Sequence, residues 1–286
     1  MRISESMVVF AKMNGLGNQI LIADLRNLPL DTLIEPSAIL NLAKNDITQF
    51  DQMMVIYQAE SYIIKIYNAD GSIAGACGNG MRCVSKYIFE QTGEKLINCL
   101  VEDRILVCEY KDENNIFVSL GQPDFSPQSI GLNYQINDTS AVKLHEALPP
   151  AFLVSVGNPH AVFFLSNLPE ISQIESLGAE LEHHPIFINR CNISFAKMQD
   201  RNNIKLYTWE RGAGLTQACG SAACASLIAA IKKGLTTDSA YIHCLGGVLE
   251  TNWKIGHEVI LGGAADLEFY GKFNINNGEF ELWPPK

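Results

Sequence analysis

Two cysteines of the chain, Cys77 and Cys219, stand in closely related settings, ACGNG and ACGSA. Each is followed by glycine and small residues, where strand-like sequence gives way to helical spacing. A helix start exposes free N–H donors and the positive end of the helix dipole. Two expectations follow. The thiol pKa is lowered, so that a thiolate is accessible near neutral pH. A carboxylate finds an anion site beside the sulfur, and Gly78 and Gly220 let it approach the backbone closely. One such cysteine would suggest a nucleophile or a redox group. A pair suggests something narrower, a base and an acid that invert a stereocentre through a carbanion. A thiolate takes the proton from one face, a thiol delivers one to the other, and the roles exchange in the reverse direction. With each sulfur at near-attack distance from one carbon, the two would lie roughly 6–7 Å apart. Amides of both helix starts would steady the carboxylate as enolate character develops. Open beside this reading are two structural cysteines in glycine-rich turns, a redox pair and a covalent nucleophile.

The elements that must position these cysteines occur twice. Gly17-Asn18 precedes QILIAD, and 140 positions later Gly157-Asn158 precedes PHAVFF. Asp51-Gln52 leads into MMVIY, and Cys191-Asn192, with Asn192 again 140 positions after Gln52, leads into ISFAK. Cys219 follows Cys77 by 142 positions, and a polar residue at a strand end, Asn68 or Glu210, precedes each cysteine by nine. VVFAKM, ILIAD, MMVIY, YIIKIYN, RILVCEY and NIFVSL read as strands, with Gly, Asn and Asp between them. After Cys77, residues Met81, Val84 and Ile88 recur at helical spacing and Gly93 is a stop. After Cys219, ACASLIAAIKK is apolar nearly all round and predicts a buried helix, with Lys232 and Lys233 in its last turn and Gly234 ending it. The fold class predicted is α+β. Two similar domains are related by a pseudo-two-fold axis, each a curled barrel-like sheet around a central helix, with the active site in the cleft between them. The boundaries expected are 1–124 plus about 270–286, and 125–269, with Gly121–Gly131 as the crossing.

Composition narrows the class of partner. The chain has 286 residues, 47% hydrophobic and 18% charged, with a net charge of −10. That describes a globular protein of two domains. No Lys/Arg cluster offers a face to nucleic acid or an anionic membrane. The N-terminus lacks the pattern of a secretory signal and no apolar run is long enough to span a membrane, so a cytoplasmic location is expected. Eight cysteines in such a chain predict reduced thiols, and their spacing does not suit zinc. Cys83, Cys99, Cys108, Cys191, Cys224 and Cys244 are expected as small buried hydrophobes.

The motifs KMNGLGNQ (12–19), FDQ (50–52), NADGSIAGACGNGMRC (68–83), VGNPHAV (156–162), RCNISF (190–195) and WERGAGLTQACGSAAC (209–224) resemble the diaminopimelate epimerase family over nearly the full length. The resemblance implies interconversion of LL- and meso-2,6-diaminopimelate, for lysine and peptidoglycan, with no pyridoxal phosphate and no metal. It implies Cys77 and Cys219 as acid/base thiols, with His160 and Glu210 tuning them. It implies substrate contacts from Asn18, Gln52, Asn68, Asn158, Asn192, Glu210 and Arg211, and from the helix starts Gly78-Asn79 and Gly220-Ser221. Neutral amides suit a substrate with two zwitterionic centres, and Arg211 can clamp a carboxylate with two bonds. It also implies a homodimer, the family's dimer-contact tyrosine falling at Phe269 beside Tyr270. The sequence departs from the family at Asn14 (commonly His), Gln19 (Asp), Ile73 and Leu215 (Glu), and in KNDITQF before the DQ pair. Competing expectations are a racemase of another amino acid on the same fold, a thiol redox switch joining Cys77 to Cys219, and an amino-acid binder without activity.

Overall fold

The computed structural model describes residues 6–75 and 77–283; Met1–Glu5, Ala76 of the first cysteine motif and Pro284–Lys286 lie outside the described residues. The chain divides into two units, Met1–Val118 with Ala264–Lys286, and Ser119–Gly263. The division falls ahead of Gly121–Gly131, which belongs to the second unit, and the C-terminal strands belong to the first.

In chain order the elements of the first stretch are β1 (Met7–Asn14), β2 (Gln19–Asp24), α1 (Pro36–Lys44), β3 (Gln52–Gln58), β4 (Tyr62–Asn68), β5 (Ile73–Ala74), α2 (Gly78–Thr92), β6 (Leu96–Val101), β7 (Arg104–Asp112) and β8 (Asn115–Ser119). The second unit contains α3 (Pro127–Ile130), β9 (Phe152–Ser155), β10 (Pro159–Phe164), α4 (Ile171–Glu182), β11 (Asn192–Met198), β12 (Asn203–Glu210), β13 (Gly214–Leu215), α5 (Gly220–Lys232), β14 (Ser239–Cys244), β15 (Gly247–Asn252) and β16 (Ile260–Gly263). The chain closes with β17 (Asp266–Asn274) and β18 (Phe280–Leu282).

The two units share one topology. In the first, β1 pairs antiparallel with β2, β2 parallel with β3, β3 antiparallel with β4, β4 parallel with β6, and β6–β7–β8 antiparallel. In the second, β9, β10, β11, β12, β14, β15 and β16 repeat that series of directions step for step. A parallel pair needs a crossover, and each of the four is bridged by a helix: α1, α2, α4 or α5. The register repeats as well. Ile20 lies opposite Gln52, and His160 opposite Asn192. The class is α+β with a mixed sheet in each unit, as expected.

Sequence reading counted one helix per half, and besides the single turn α3 the structure adds α1 and α4. Their apolar stripes are short. Ala38, Ile39 and Leu42 of α1 pack with Leu21, Ala23, Met53 and Val55. Ile174 and Leu181 of α4 pack with Phe163, Ile193 and Phe195. In the first unit α2 packs against β1, β2, β3 and β7, and in the second α5 packs against β9 to β12. Central strands covered on both faces read as continuous apolar runs, which is why QILIAD and PHAVFF do not alternate. Residues Ala222–Ala230 of α5 are all buried. Leu227 and Ile228 alone contribute about 2–3 kcal/mol each by leaving water. Gly93, at φ 78°, caps α2 with its N–H on the Phe89 carbonyl, at 2.8 Å. Among the described residues no helix is long and apolar enough to cross a membrane.

Candidate active site

In the first unit a tight turn delivers Asn18. Leu16 and Gly17 both have positive φ (59° and 87°). The Gly17 N–H donates to Asn14 Oδ1 at 2.7 Å, and the Gly15 N–H to the Asn18 carbonyl at 2.9 Å. A Cβ at Gly15 would stand 3.2 Å from the Asn79 carbonyl oxygen, a tight contact. Asn18 Oδ1 is buried without a hydrogen-bond partner. Gln52 opens β3 and Asn68 closes β4 directly opposite it, with Gln52 Nε2 donating to Asn68 Oδ1 at 3.3 Å. Asn68 in turn donates to Ser72 Oγ at 2.9 Å. Cys77 is the N-cap of α2, half-buried, and its Sγ accepts from the Gly80 N–H at 3.1 Å. An N–H aimed at sulfur is the contact a thiolate prefers. Asn79 is buried, and its Oδ1 accepts from the buried Arg82 at 2.9 Å.

The second unit repeats this plan with different chemistry. Gly157 takes φ 88°, and the Val156 N–H donates to the Asn158 carbonyl at 3.1 Å. Where Ile20 stands in the first unit, the second has His160, 0% exposed, with Nε2 2.9 Å from Asn158 Oδ1. That oxygen only accepts, so Nε2 carries the ring proton. Burial, with the Arg211 charge adding to it, lowers the His160 pKa to about 3. Asn192 braces the site from within. Its Nδ2 donates to the Pro159 carbonyl and its Oδ1 accepts from the Arg211 N–H, both at 2.9 Å. The Arg211 side chain is exposed and donates to the Asn189 carbonyl at 3.2 Å.

Cys219 is the N-cap of α5 and 5% exposed, with Ser221 Oγ 3.5 Å from its sulfur. The Ala222 N–H, at the position that Gly80 holds in α2, also faces the sulfur. Glu210, at the end of β12, lies within hydrogen-bonding reach of it. Burial pushes the Cys219 pKa well up, and the Glu210 carboxylate pushes it further. This corrects the expectation of a lowered pKa at both helix starts. Desolvation and a neighbouring negative charge outweigh the helix terminus, and Cys219 rests as a thiol.

The structure thus gathers Asn18, Gln52, Asn68, Cys77, Gly78 and Asn79 in one unit. Asn158, His160, Asn192, Glu210, Arg211, Cys219, Gly220 and Ser221 are in the other. Cys83, Cys99, Cys108, Cys191 and Cys224 are buried as expected, whereas Cys244 is only half-buried. Of the departures, Ile73 is 73% exposed and Leu215 packs on the core beside Trp209. Gln19 accepts from the buried Lys12 ammonium.

Glu182 was missed by sequence reading. At the end of α4 its buried carboxylate accepts from Trp209 Nε1 at 2.7 Å, the Gly212 N–H at 2.9 Å and Arg190 at 3.3 Å. It therefore grips the chain on both sides of Glu210-Arg211. In sequence it is one acidic residue on a helix, and nothing local sets it apart.

His160 yields a stability prediction. Its pKa is depressed in the fold, so the stabilising neutral form is fully present above the unfolded value of about 6.5 and is lost as pH falls toward about 3. The slope is about 1.4 kcal/mol per pH unit within that window. Urea unfolding at pH 7 and pH 5 is expected to show His160→Gln losing about 2 kcal/mol less than wild type on acidification. An equal loss in both proteins means that the ring is not held neutral.

The diaminopimelate epimerase family model matches residues 10–126 and 152–267. The diaminopimelate epimerase of Bartonella henselae is 40% identical over 277 residues, covering 95% of this chain and 97% of its own. That of Chelativorans sp. is 40% identical over 283 residues, covering 95% and 96%. Among solved structures, a hydroxyproline epimerase from Agrobacterium vitis aligns with a TM-score of 0.65 at 11% identity, over 95% of this chain and 93% of that one. A PhzF-family protein from Enterococcus faecalis aligns at 0.61 with 15% identity, over 93% and 98%. At those identities the structures show a shared fold. Fold, site and relatives together define an isomerase of the epimerase and racemase class. Within that class the chain belongs to the diaminopimelate epimerase family.

Proposed function

We propose that the protein interconverts LL- and meso-2,6-diaminopimelate by a two-thiol relay, with Cys77 and Cys219 serving opposite faces of one α-carbon. The observation that carries this reading is the doubled N-cap cysteine. Each unit starts its buried helix on a cysteine, nine residues beyond the polar end of a neighbouring strand. Relatives near 40% identity carry the name of that activity, which supports the substrate. In one direction a thiolate takes the α-proton and becomes a thiol. The electron pair passes into the carboxylate as an enolate, and the second cysteine gives its S–H proton to the opposite face and becomes a thiolate. The reverse direction exchanges the roles. Cys219, resting as a thiol, is the donor in the first of these directions. Helix-start amides at Gly78-Asn79 and Gly220-Ser221 hold the reacting carboxylate as charge develops. Asn18, Gln52, Asn68, Asn158, Glu210 and Arg211 receive the remaining polar groups, and Asn192 holds Arg211 in place. No cofactor or metal takes part in this scheme. The reaction would serve lysine and peptidoglycan precursors in the cytoplasm, and the working form would be a homodimer.

The test is α-deuterium wash-in from heavy water. LL-diaminopimelate is expected to exchange at least about 100-fold faster than histidine, proline or 4-hydroxyproline. Exchange confined to one of the other amino acids would remove the substrate assignment.

A further inference from the structure

We infer that Thr216 is a positioning residue of the second unit, its hydroxyl fixing the Glu210 carboxylate beside the Cys219 thiol. The inference deepens the reading of Cys219 as a proton carrier and rests on it. Thr216 Oγ1 donates to Glu210 Oε1 at 2.6 Å. A hydroxyl bonded to a carboxylate at this length is of the strong, charge-assisted kind. The backbone sets both ends. Glu210 ends β12, with Gly214 of β13 opposite it. The Ala213 N–H donates to the Glu210 carbonyl at 3.0 Å, and the Thr216 N–H to the Thr208 carbonyl at 3.2 Å. One hydrogen-bonded turn therefore carries the carboxylate, the hydroxyl that holds it and, three residues on, the cysteine.

The other unit supplies the comparison. The positions 142 residues earlier are Asn68 and Ala74. There the strand-end side chain is a neutral amide, bonded to Ser72 Oγ at 2.9 Å, and the counterpart of Thr216 has no hydroxyl. The threonine accompanies the carboxylate and is missing where the amide stands. A hydroxyl has one proton to give, and spending it on Glu210 keeps that carboxylate aimed. The charged group acting on Cys219 is Glu210 of β12, and Ser221 of α5 is its hydroxyl neighbour. Without Thr216 the carboxylate loses the bond that aims it and turns from the sulfur. That removes a fixed negative charge from beside the thiol, which then ionises more readily.

The experiment compares full-length Thr216→Val and Thr216→Ser with wild type by two measurements. The first is steady-state epimerisation of diaminopimelate. The second is iodoacetamide labelling at pH 8 without substrate, with Cys219 and Cys77 quantified separately by peptide mass spectrometry. For Thr216→Val we expect kcat to fall about 10-fold or more with KM within about two-fold. Labelling of Cys219 is expected to rise about three-fold or more while that of Cys77 stays unchanged. Thr216→Ser, which keeps the donor, restores both to within about two-fold of wild type. Wild-type labelling of Cys219 in Thr216→Val would overturn the inference. So would a Thr216→Ser variant as impaired as Thr216→Val, because the methyl group and not the hydroxyl would then matter. Labelling needs no substrate, so a wild-type protein that fails to turn over diaminopimelate rejects the proposed function and still tests Thr216.

Discussion

Cys77→Ala and Cys219→Ala are each expected to lose epimerisation by about 10³-fold or more, with the double variant scarcely worse than either single one. Proton transfer by a placed side chain is worth about 10²–10⁴-fold. In the proposed relay both transfers occur in each turnover, so removing either partner breaks the cycle. Groups that act as a unit give losses that do not add. The measurement is conversion of LL- to meso-diaminopimelate beside α-deuterium wash-in. Full activity in one alanine variant would establish a one-base mechanism and retire the relay. Cys→Ser variants are expected to retain little, since a hydroxyl yields its proton far less readily than a thiol. The N-cap positions make these substitutions mild for folding. Cys77→Ala gives up one accepted hydrogen bond, from the Gly80 N–H, worth about 1 kcal/mol, and Cys219→Ala exchanges one small buried side chain for another.

The second large effect is on stability, at Gly178. Helix propensity alone predicts that Gly178→Ala, inside α4, gains about 1 kcal/mol. Packing predicts the opposite. A Cβ at Gly178 would stand 2.5 Å from Trp209 Cγ and 2.6 Å from Trp209 Cβ. The indole has little freedom to withdraw, because Glu182 on the same helix holds its Nε1 at 2.7 Å. Overpacking of this kind costs about 1–3 kcal/mol and occasionally more, so a net loss of about 2 kcal/mol and a Tm lower by roughly 5 °C are expected. Trp209 immediately precedes Glu210, so the same substitution should raise KM for diaminopimelate. A melt at or above the wild-type temperature would mean that α4 lifts from β12 at no cost.

The parts of the site written in local sequence were legible. At each ACG motif the apolar spacing changes from two to about 3.6, which places Cys77 and Cys219 at helix starts and Asn68 and Glu210 at strand ends. The repeated offsets of 140 and 142 residues carried the duplication, and the common topology of the units follows from it. Helices α1 and α4 were not legible, because each buries only a narrow stripe and Gly178 interrupts that of α4. The protonation of Cys219 was not legible either. It depends on burial and on a carboxylate brought alongside by the β12–β13 turn, both of which are tertiary. The same holds for Asn192. Sequence marks an amide at a strand start, while the structure shows both its ends engaged, on Pro159 and Arg211.

If the relay operates as proposed, the duplicated plan has a consequence for how its protons are stored. Two identical half-length chains would offer two identical thiols, and symmetry would leave neither preferred as donor. Joined in one polypeptide, the copies were free to diverge at matched positions, isoleucine against histidine and asparagine against glutamate. Under the proposed relay, one of the two sulfurs, that of Cys219, is therefore loaded before any substrate arrives.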